Sequence, residues 1–457
     1  MRKLIDLIRE SFLSEDADFT AMSINKAIFM LSLPMVIEMF FEALFALADA
    51  FFVARYVGVN GVATVGLTES VMTIVYSLAW GLSSAATAIV ARRTGEKNID
   101  AASHATGQVI LVSLAIGIIL GLPAFFGAQY ILGWMGGDEE LIASGSWYAK
   151  LQFLSSPIAI LLFSLSGALR GAGKAITAMK AVIIANIINI ALDFTFVALW
   201  HWGVEGAAMA TIIGRTFGVL YQLYYLLGFK DLGNKLASLM PDKQVILSII
   251  KIASGSAGQF LIQSASWIFL VTILAFYGSE VIAGYTIAIR VIIFAILPSW
   301  GLANAGATLL GQNMGANQIQ KGISTVWKIA IINAAFMGFI AILFYAFSTQ
   351  IIVLFESKPY VVAVGKGCLE IMSMGYIFFG IGMVIVQAIN GAGDTAVPTI
   401  FNLICYWLIQ IPLSYFMAKN LGMDYKGVFY SIIISETIWT ILGAWYFRTG
   451  RWQKTQV

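Results

Sequence analysis

The chain has 457 residues, of which 60% are hydrophobic and 11% charged, with a formal net charge of +3. A soluble domain carries about 25% charged residues, so too few polar side chains remain to cover a water-facing surface, and so small a charge argues against a nucleic-acid partner. Two cysteines, Cys368 and Cys405, cannot make a disulfide framework, which leaves an all-α, polytopic membrane protein.

Residues 1–23 read as a cytoplasmic segment. Leu4, Ile5, Leu7, Ile8 and Phe12 beside Arg2, Lys3 and Arg9 predict a short amphipathic helix on the membrane surface, and its acids exclude a secretory signal. A crossing helix needs roughly 20 mostly apolar residues. Runs of that kind lie at about 24–52, 64–90, 104–127, 146–169, 176–200 and 206–228, and again at about 246–276, 280–310, 324–348, 364–389, 396–419 and 427–448. The first six make an N-lobe over 24–228 and the last six a C-lobe over 246–448, joined by a cytoplasmic linker at 229–245 and followed by a cytoplasmic tail at 449–457. The runs are continuous, without the strict alternation of a membrane β-barrel. With the N-terminus inside, 19 of the 27 Lys and Arg residues fall on the cytoplasmic side and six outside, Arg215 and Arg290 lying within spans. That bias predicts a multi-pass protein of the inner (plasma) membrane with both termini cytoplasmic.

The halves repeat one another. Trp80-Gly81-Leu82 recurs as Trp300-Gly301-Leu302, and Gly171-Ala172-Gly173 as Gly391-Ala392-Gly393, every pair 220 positions apart. Six spans per repeat is an even number, so both halves enter the membrane the same way round. Two such bundles, related by a pseudo-twofold axis along the membrane normal, enclose a midplane chamber that rocking can open to either side.

Acids inside apolar spans are costly, about 2.5–3.5 kcal/mol each on insertion scales, and so usually functional. The first span carries Glu38, Glu42 and Asp49 on one helical face, Glu38 and Glu42 being expected near a solvated vestibule. The fifth carries Asn186, Asn189 and Asp193, spaced to share a face, and the sixth carries Thr211. Adding 220 to Asp49 and Asp193 lands on Phe269 and Leu413, so the second half keeps the framework and lacks these acids. Desolvation favours the neutral form of a carboxyl, which makes Asp49 and Asp193 the candidate proton site, with sodium as the alternative; the Asn amides can hydrogen-bond a carboxyl there, and the Thr211 hydroxyl either joins them or bonds its own backbone. Gln259 and Gln263 in the seventh span and Glu436 in the twelfth are further candidates for the chamber wall.

Enzyme chemistry finds no support. Gly391-Ala392-Gly393-Asp394 has the Gly-x-Gly-Asp form of intramembrane aspartyl proteases, but its repeat copy reads Gly171-Ala172-Gly173-Lys174, so the glycines mark a duplicated turn. His104 and His201 have no zinc-binding spacing, and no phosphate-cradling motif occurs. Ion gradients are then the energy source, and no cofactor is expected.

Pro34, Leu47-Ala48-Asp49-Ala50-Phe51-Phe52-Val53, Ala168-Leu169-Arg170-Gly171-Ala172-Gly173, Asn186-Ile187-Ile188-Asn189-Ile190-Ala191-Leu192-Asp193 and Leu310-Gly311-Gln312-Asn313-Met314-Gly315-Ala316, in that order, resemble the multidrug and toxic compound extrusion (MATE) family. The resemblance implies a cation-coupled antiporter exporting amphipathic or cationic organic compounds, expected to act as a monomer, with Asp49, Asn189, Asp193 and Thr211 as the first-lobe site. The acids of the NorM-like branch in the seventh and tenth spans are missing, which favours the DinF-like pattern. A lipid-linked oligosaccharide flippase would share the fold class, but a polyanionic headgroup calls for many cavity Arg or Lys, and only two lie in spans.

Overall fold

The computed structural model describes residues 8–12, 17–57, 59–228 and 239–455. Much of the proposed surface helix at 1–23 and of the linker at 229–245 lies outside them. The described residues are helical, without a strand. In chain order the crossing helices are α1 (Ile24–Tyr56), α2 (Val59–Gly95), α3 (Ile99–Trp134), α4 (Glu139–Leu154 and Ser156–Gly171), α5 (Ala175–Asp193, continued by Phe194–Leu199) and α6 (Gly203–Gly228). They are followed by α7 (Lys243–Ala275), α8 (Ser279–Gly315), α9 (Ile319–Val353), α10 (Pro359–Ser373 and Tyr376–Gly391), α11 (Ala396–Asn420) and α12 (Asp424–Thr449). Among the described residues these make twelve helical segments, and eleven of them, all but α6 and with bent α10 taken as one, are long and apolar enough to cross a membrane. Helices of 33 to 37 residues such as α1, α2 and α8 run about 50–55 Å at 1.5 Å per residue, well beyond a hydrocarbon core of roughly 30 Å. Their polar ends are what the apolar runs in the sequence left out.

Five spans depart from the continuous helices expected, α9 by a kink at Phe347 (φ −118°, ψ 15°) and four others as follows. In α4 the break falls at Ser155, because Pro157 has no N–H to offer the Phe153 carbonyl; the Ser156 hydroxyl donates to that carbonyl instead, at 2.7 Å. In α10 the two halves are bent by 58° at Met374 and Gly375, glycine being a weak helix former. In α5 and α11 the backbone passes into π-helical turns, at Phe194–Leu199 in one and at Leu403–Gln410 and Phe416–Asn420 in the other.

The halves meet through symmetry-matched contacts. Trp80 and Trp300, the duplicated tryptophans, lie edge to face with ring centroids 5.3 Å apart, and both meet Phe260. A Cβ on Gly95 would stand 2.0 Å from the Gln312 carbonyl oxygen, and one on Gly315 would stand 2.0 Å from that of Arg92. Positions 92 and 95 are the repeat mates of 312 and 315, so the same close crossing is made twice about one axis. Gln312 Nε2 also donates to the Gly171 carbonyl (2.9 Å). At this same end, Thr20 accepts from Lys321 Nζ (2.5 Å), Asp18 pairs with Lys97 (3.5 Å) and the Arg92 guanidinium donates to the Thr455 carbonyl (3.3 Å). Toward the other end, Glu69 of α2 and Arg290 of α8 are exposed and feel one another's charge. The lobes are thus sealed where residues 92–96 and 312–316 cross.

Candidate functional site

The acidic stripe of α1 is divided among three environments. Glu38 is 1% exposed and paired with Arg170 of α4, Nη1 to Oε1 2.6 Å, while Arg170 Nη2 donates to Ser83 Oγ at 2.8 Å. The expectation of a solvated Glu38 lining the chamber is therefore corrected. Arg170, counted by sequence among the loop cations, is buried in the protein and supplies the counter-charge. Glu42, half-buried, faces Arg215 of α6, which is buried and sits over the Phe45 and Tyr76 rings at 5.5 and 5.3 Å while donating to the Tyr76 hydroxyl at 3.1 Å. The two within-span arginines differ: Arg215 is buried against the Phe45 and Tyr76 rings, and Arg290 is exposed.

Asp49, half-buried, is close enough to Asp193 for the two charges to interact. Asp193 is 0% exposed, and the Asn189 amide is the donor beside its carboxylate, although it does not reach full hydrogen-bond geometry with either oxygen. Asn189 lies one turn before it on α5 and donates from Nδ2 to Thr211 Oγ1 of α6 at 3.2 Å, leaving its Oδ1 unpartnered and buried. Asn189 and Thr211 thus join α5 to α6, with Asp193 buried one turn further along α5 and Asp49 of α1, less buried, within reach of its charge. The π-helical turn begins immediately after Asp193, a feature often found at functional positions. Asn186 is not part of this group and does not line a chamber: it is buried and ties α5 to α1 by donating to the Phe41 carbonyl at 2.9 Å.

The C-lobe holds a chamber whose wall includes Gln259, Gln263, Gln387, Asn390, Asn402 and Tyr406. Gln259 and Asn390 exchange amide hydrogen bonds at 2.9 and 3.0 Å, and Gln387 donates to Asn304 at 2.9 Å. Glu436 does not line the chamber. It lies behind Tyr406, whose hydroxyl donates to the carboxylate, 3.2 and 3.4 Å from its two oxygens, and accepts from Gln263 Nε2 at 3.3 Å. Sequence reasoning missed Arg170, Asn390 and Tyr406. A signal for the first two was present, because Arg170 and Asn390 occupy matched positions in the repeated Ala-x-x-Gly-Ala-Gly segment; Tyr406 reads as one more aromatic in an apolar span. No cluster of three or more His, Cys, Asp or Glu fit to hold a metal ion occurs among the described residues.

Comparison with known proteins agrees with this architecture. The chain is 25% identical over 438 residues to the probable multidrug resistance protein NorM of Thermotoga maritima, covering 95% of this chain and 94% of that one. It is 23% identical to the probable multidrug resistance protein YpnP of Bacillus subtilis, covering 95% and 97%. Among solved structures, a MATE in complex with MaD3S superposes with a TM-score of 0.90 at 24% identity, covering 96% of this chain and 98% of that one. The MatE family model matches residues 34–195 and 256–416, one segment in each half. The chain belongs to the MatE family and is a multi-pass membrane transporter rather than an enzyme.

Proposed function

We propose that the chain is a proton-coupled antiporter that exports amphipathic organic cations by alternating access, with Asp49, Asn189, Asp193 and Thr211 as the coupling site. The observation that carries this reading is the enclosure of Asp193. A fully buried carboxyl that lacks a full hydrogen bond to either oxygen among the described residues is costly as an anion in a low-dielectric interior, and a proton removes that cost. Asp49, less buried and within reach of its charge, would pass the proton to it. The names of the relatives, multidrug resistance and multidrug export proteins, support drugs as cargo.

If the basic surface is cytoplasmic, the sealed end at residues 92–96 and 312–316 faces the cytoplasm and this structure faces outward. Protonation would then occur from outside, remove the repulsion between Asp49 and Asp193, and alter how α1 packs on α5, with Pro34 in α1 as a site for bending. Antiport requires that proton and cargo each disfavour the other's occupancy. A sodium-coupled reading is favoured by one observation of its own: the two Asp193 oxygens, Asn189 Oδ1 and Thr211 Oγ1 are an all-oxygen set suited to a hard cation.

Efflux of ethidium from cells overexpressing the chain, with and without an uncoupler and with and without sodium, tests the reading. Efflux that stops with the uncoupler and survives sodium removal is expected. Efflux that survives the uncoupler and stops without sodium replaces the proton with sodium.

A further inference from the structure

Asp193, Asn189 and Thr211 are all buried, whereas the C-lobe has a chamber with a polar and aromatic wall. An exporter of organic cations needs a place for the cargo's charge, and the C-lobe carries a buried carboxylate that the coupling site does not use. Glu436 of α12 is 9% exposed and makes no ion pair among the described residues. Its one hydrogen-bonding neighbour is the Tyr406 hydroxyl, a neutral group that cannot balance a buried charge.

Tyr406 stands in the chamber wall with Glu436 behind it. Its O–H donates to the carboxylate, so its oxygen becomes a stronger acceptor toward the chamber, in the manner of polarised hydrogen-bond chains. Phe260, Trp300, Phe379 and Trp439 supply aromatic wall. Trp439 is held in place by donating from Nε1 to Asn402 Oδ1 at 2.7 Å. Rigid aromatics around one buried negative charge form the usual receptor for a hydrophobic cation. Tyr406 also lies within the π-helical stretch Leu403–Gln410 of α11, whereas the matching stretch of α5 is regular α-helix. This first π-helical stretch of α11 therefore has no counterpart in the N-lobe.

We propose that the C-lobe chamber is the cargo site, binding a hydrophobic organic cation whose positive group rests against the Tyr406 hydroxyl and is balanced by Glu436. Proton and cargo then occupy different lobes and are linked through the lobe seam, where Trp80 meets both Phe260 and Trp300 of the chamber wall. This inference rests on the reading of the chain as an exporter of organic cations.

The test is equilibrium binding of radiolabelled tetraphenylphosphonium to the full-length purified protein, followed by its transport in proteoliposomes under a pH gradient. The Glu436→Gln variant is expected to bind at least about tenfold more weakly, as for loss of one charged partner. Tyr406→Phe, which keeps the ring and its packing, is expected to bind more weakly by a smaller factor and keeps the test decisive if the Glu436 variant does not fold. Asp193→Asn, which leaves the C-lobe chamber intact but fixes the N-lobe site in a neutral state, is expected to bind with an affinity that no longer changes with pH and to lose gradient-driven transport. Binding by both C-lobe variants equal to the parent, with binding lost in Asp193→Asn, would overturn the inference and return the cargo to the N-lobe. Parent-like transport by Asp193→Asn with weakened binding by the C-lobe variants would overturn the N-lobe coupling reading and leave the C-lobe site standing.

Discussion

The two lobes hold one framework and opposite chemistry. In the N-lobe, α1 and α4 are joined by the ion pair Glu38–Arg170 at 2.6 Å. In the C-lobe, α7 and α10 are joined by the neutral amide pair Gln259–Asn390 at 2.9 and 3.0 Å, and Asn390 is the repeat mate of Arg170. Asn186 of the N-lobe has Tyr406 as its mate, and Thr211 has Ser431. Arg215, buried within electrostatic reach of Glu42, Glu69 and Asp49 without an ion pair to them among the described residues, has Ser435 as its mate, and the next residue in the C-lobe is Glu436. A buried cation among acids on one side is thus answered by a buried acid beside a phenol on the other. Duplication kept the packing positions, which both halves need in order to fold. It let the charged positions diverge, as the proposed exchange of a proton for an organic cation would call for.

The largest effect that breaks this comparison is expected at Asp193. Replacing it with Asn removes the titratable group but keeps the shape, and should reduce gradient-driven efflux to background while surface expression stays at the parent level; ethidium efflux with parallel quantification of membrane protein measures both. Arg170→Met is next. It leaves Glu38 as an uncompensated buried charge, which typically costs about 3–5 kcal/mol, whereas Glu38→Leu with Arg170→Met together should recover most of that loss. Thermal unfolding in detergent of the two single variants and the double variant reads the difference. The matching change in the C-lobe, Asn390→Leu, removes a neutral partner and should cost less, about 1–3 kcal/mol.

Those expectations depend on features of unequal visibility in the sequence. The spans, the duplication and the common face of Glu38, Glu42 and Asp49 were legible, because helical periodicity and hydropathy are local properties. What each acid does was not legible, because its partner arrives from a distant helix. Arg170 lies 132 positions from Glu38 and next to a turn glycine, so it read as a loop residue. Asn186 shares a face with Asn189 and Asp193, yet its amide is spent on the Phe41 carbonyl. The π-helical stretches have no composition of their own, so nothing local announced that Tyr406 would stand in front of Glu436.

Smaller effects sharpen the account of the seam. Gly95→Ala places a methyl group against the Gln312 carbonyl and should cost about 1–3 kcal/mol as overpacking, borne only by the conformation sealed at this end. A cysteine introduced near residue 96 should therefore label faster from that side in the alanine variant. The smallest effect is at the strap formed by residues 18–20. Hydrogen bonds from the Thr20 hydroxyl and from the Thr20 and Ala21 amides hold the Asp18 carboxyl below its ordinary value. A carboxyl whose folded-state pKa is lowered stabilises above its unfolded value, and that contribution fades as pH falls through the folded one. The difference in melting temperature between the parent and Asp18→Asn should accordingly be present at neutral pH and vanish below the ordinary carboxylate range.

The most direct test of the division between the lobes is transport in proteoliposomes that contain the parent or Asp193→Asn, with an imposed pH gradient and no sodium on either side. The account predicts that the gradient drives counter-transport of an organic cation by the parent and none by the variant. Transport by Asp193→Asn at the parent rate under that gradient would contradict it.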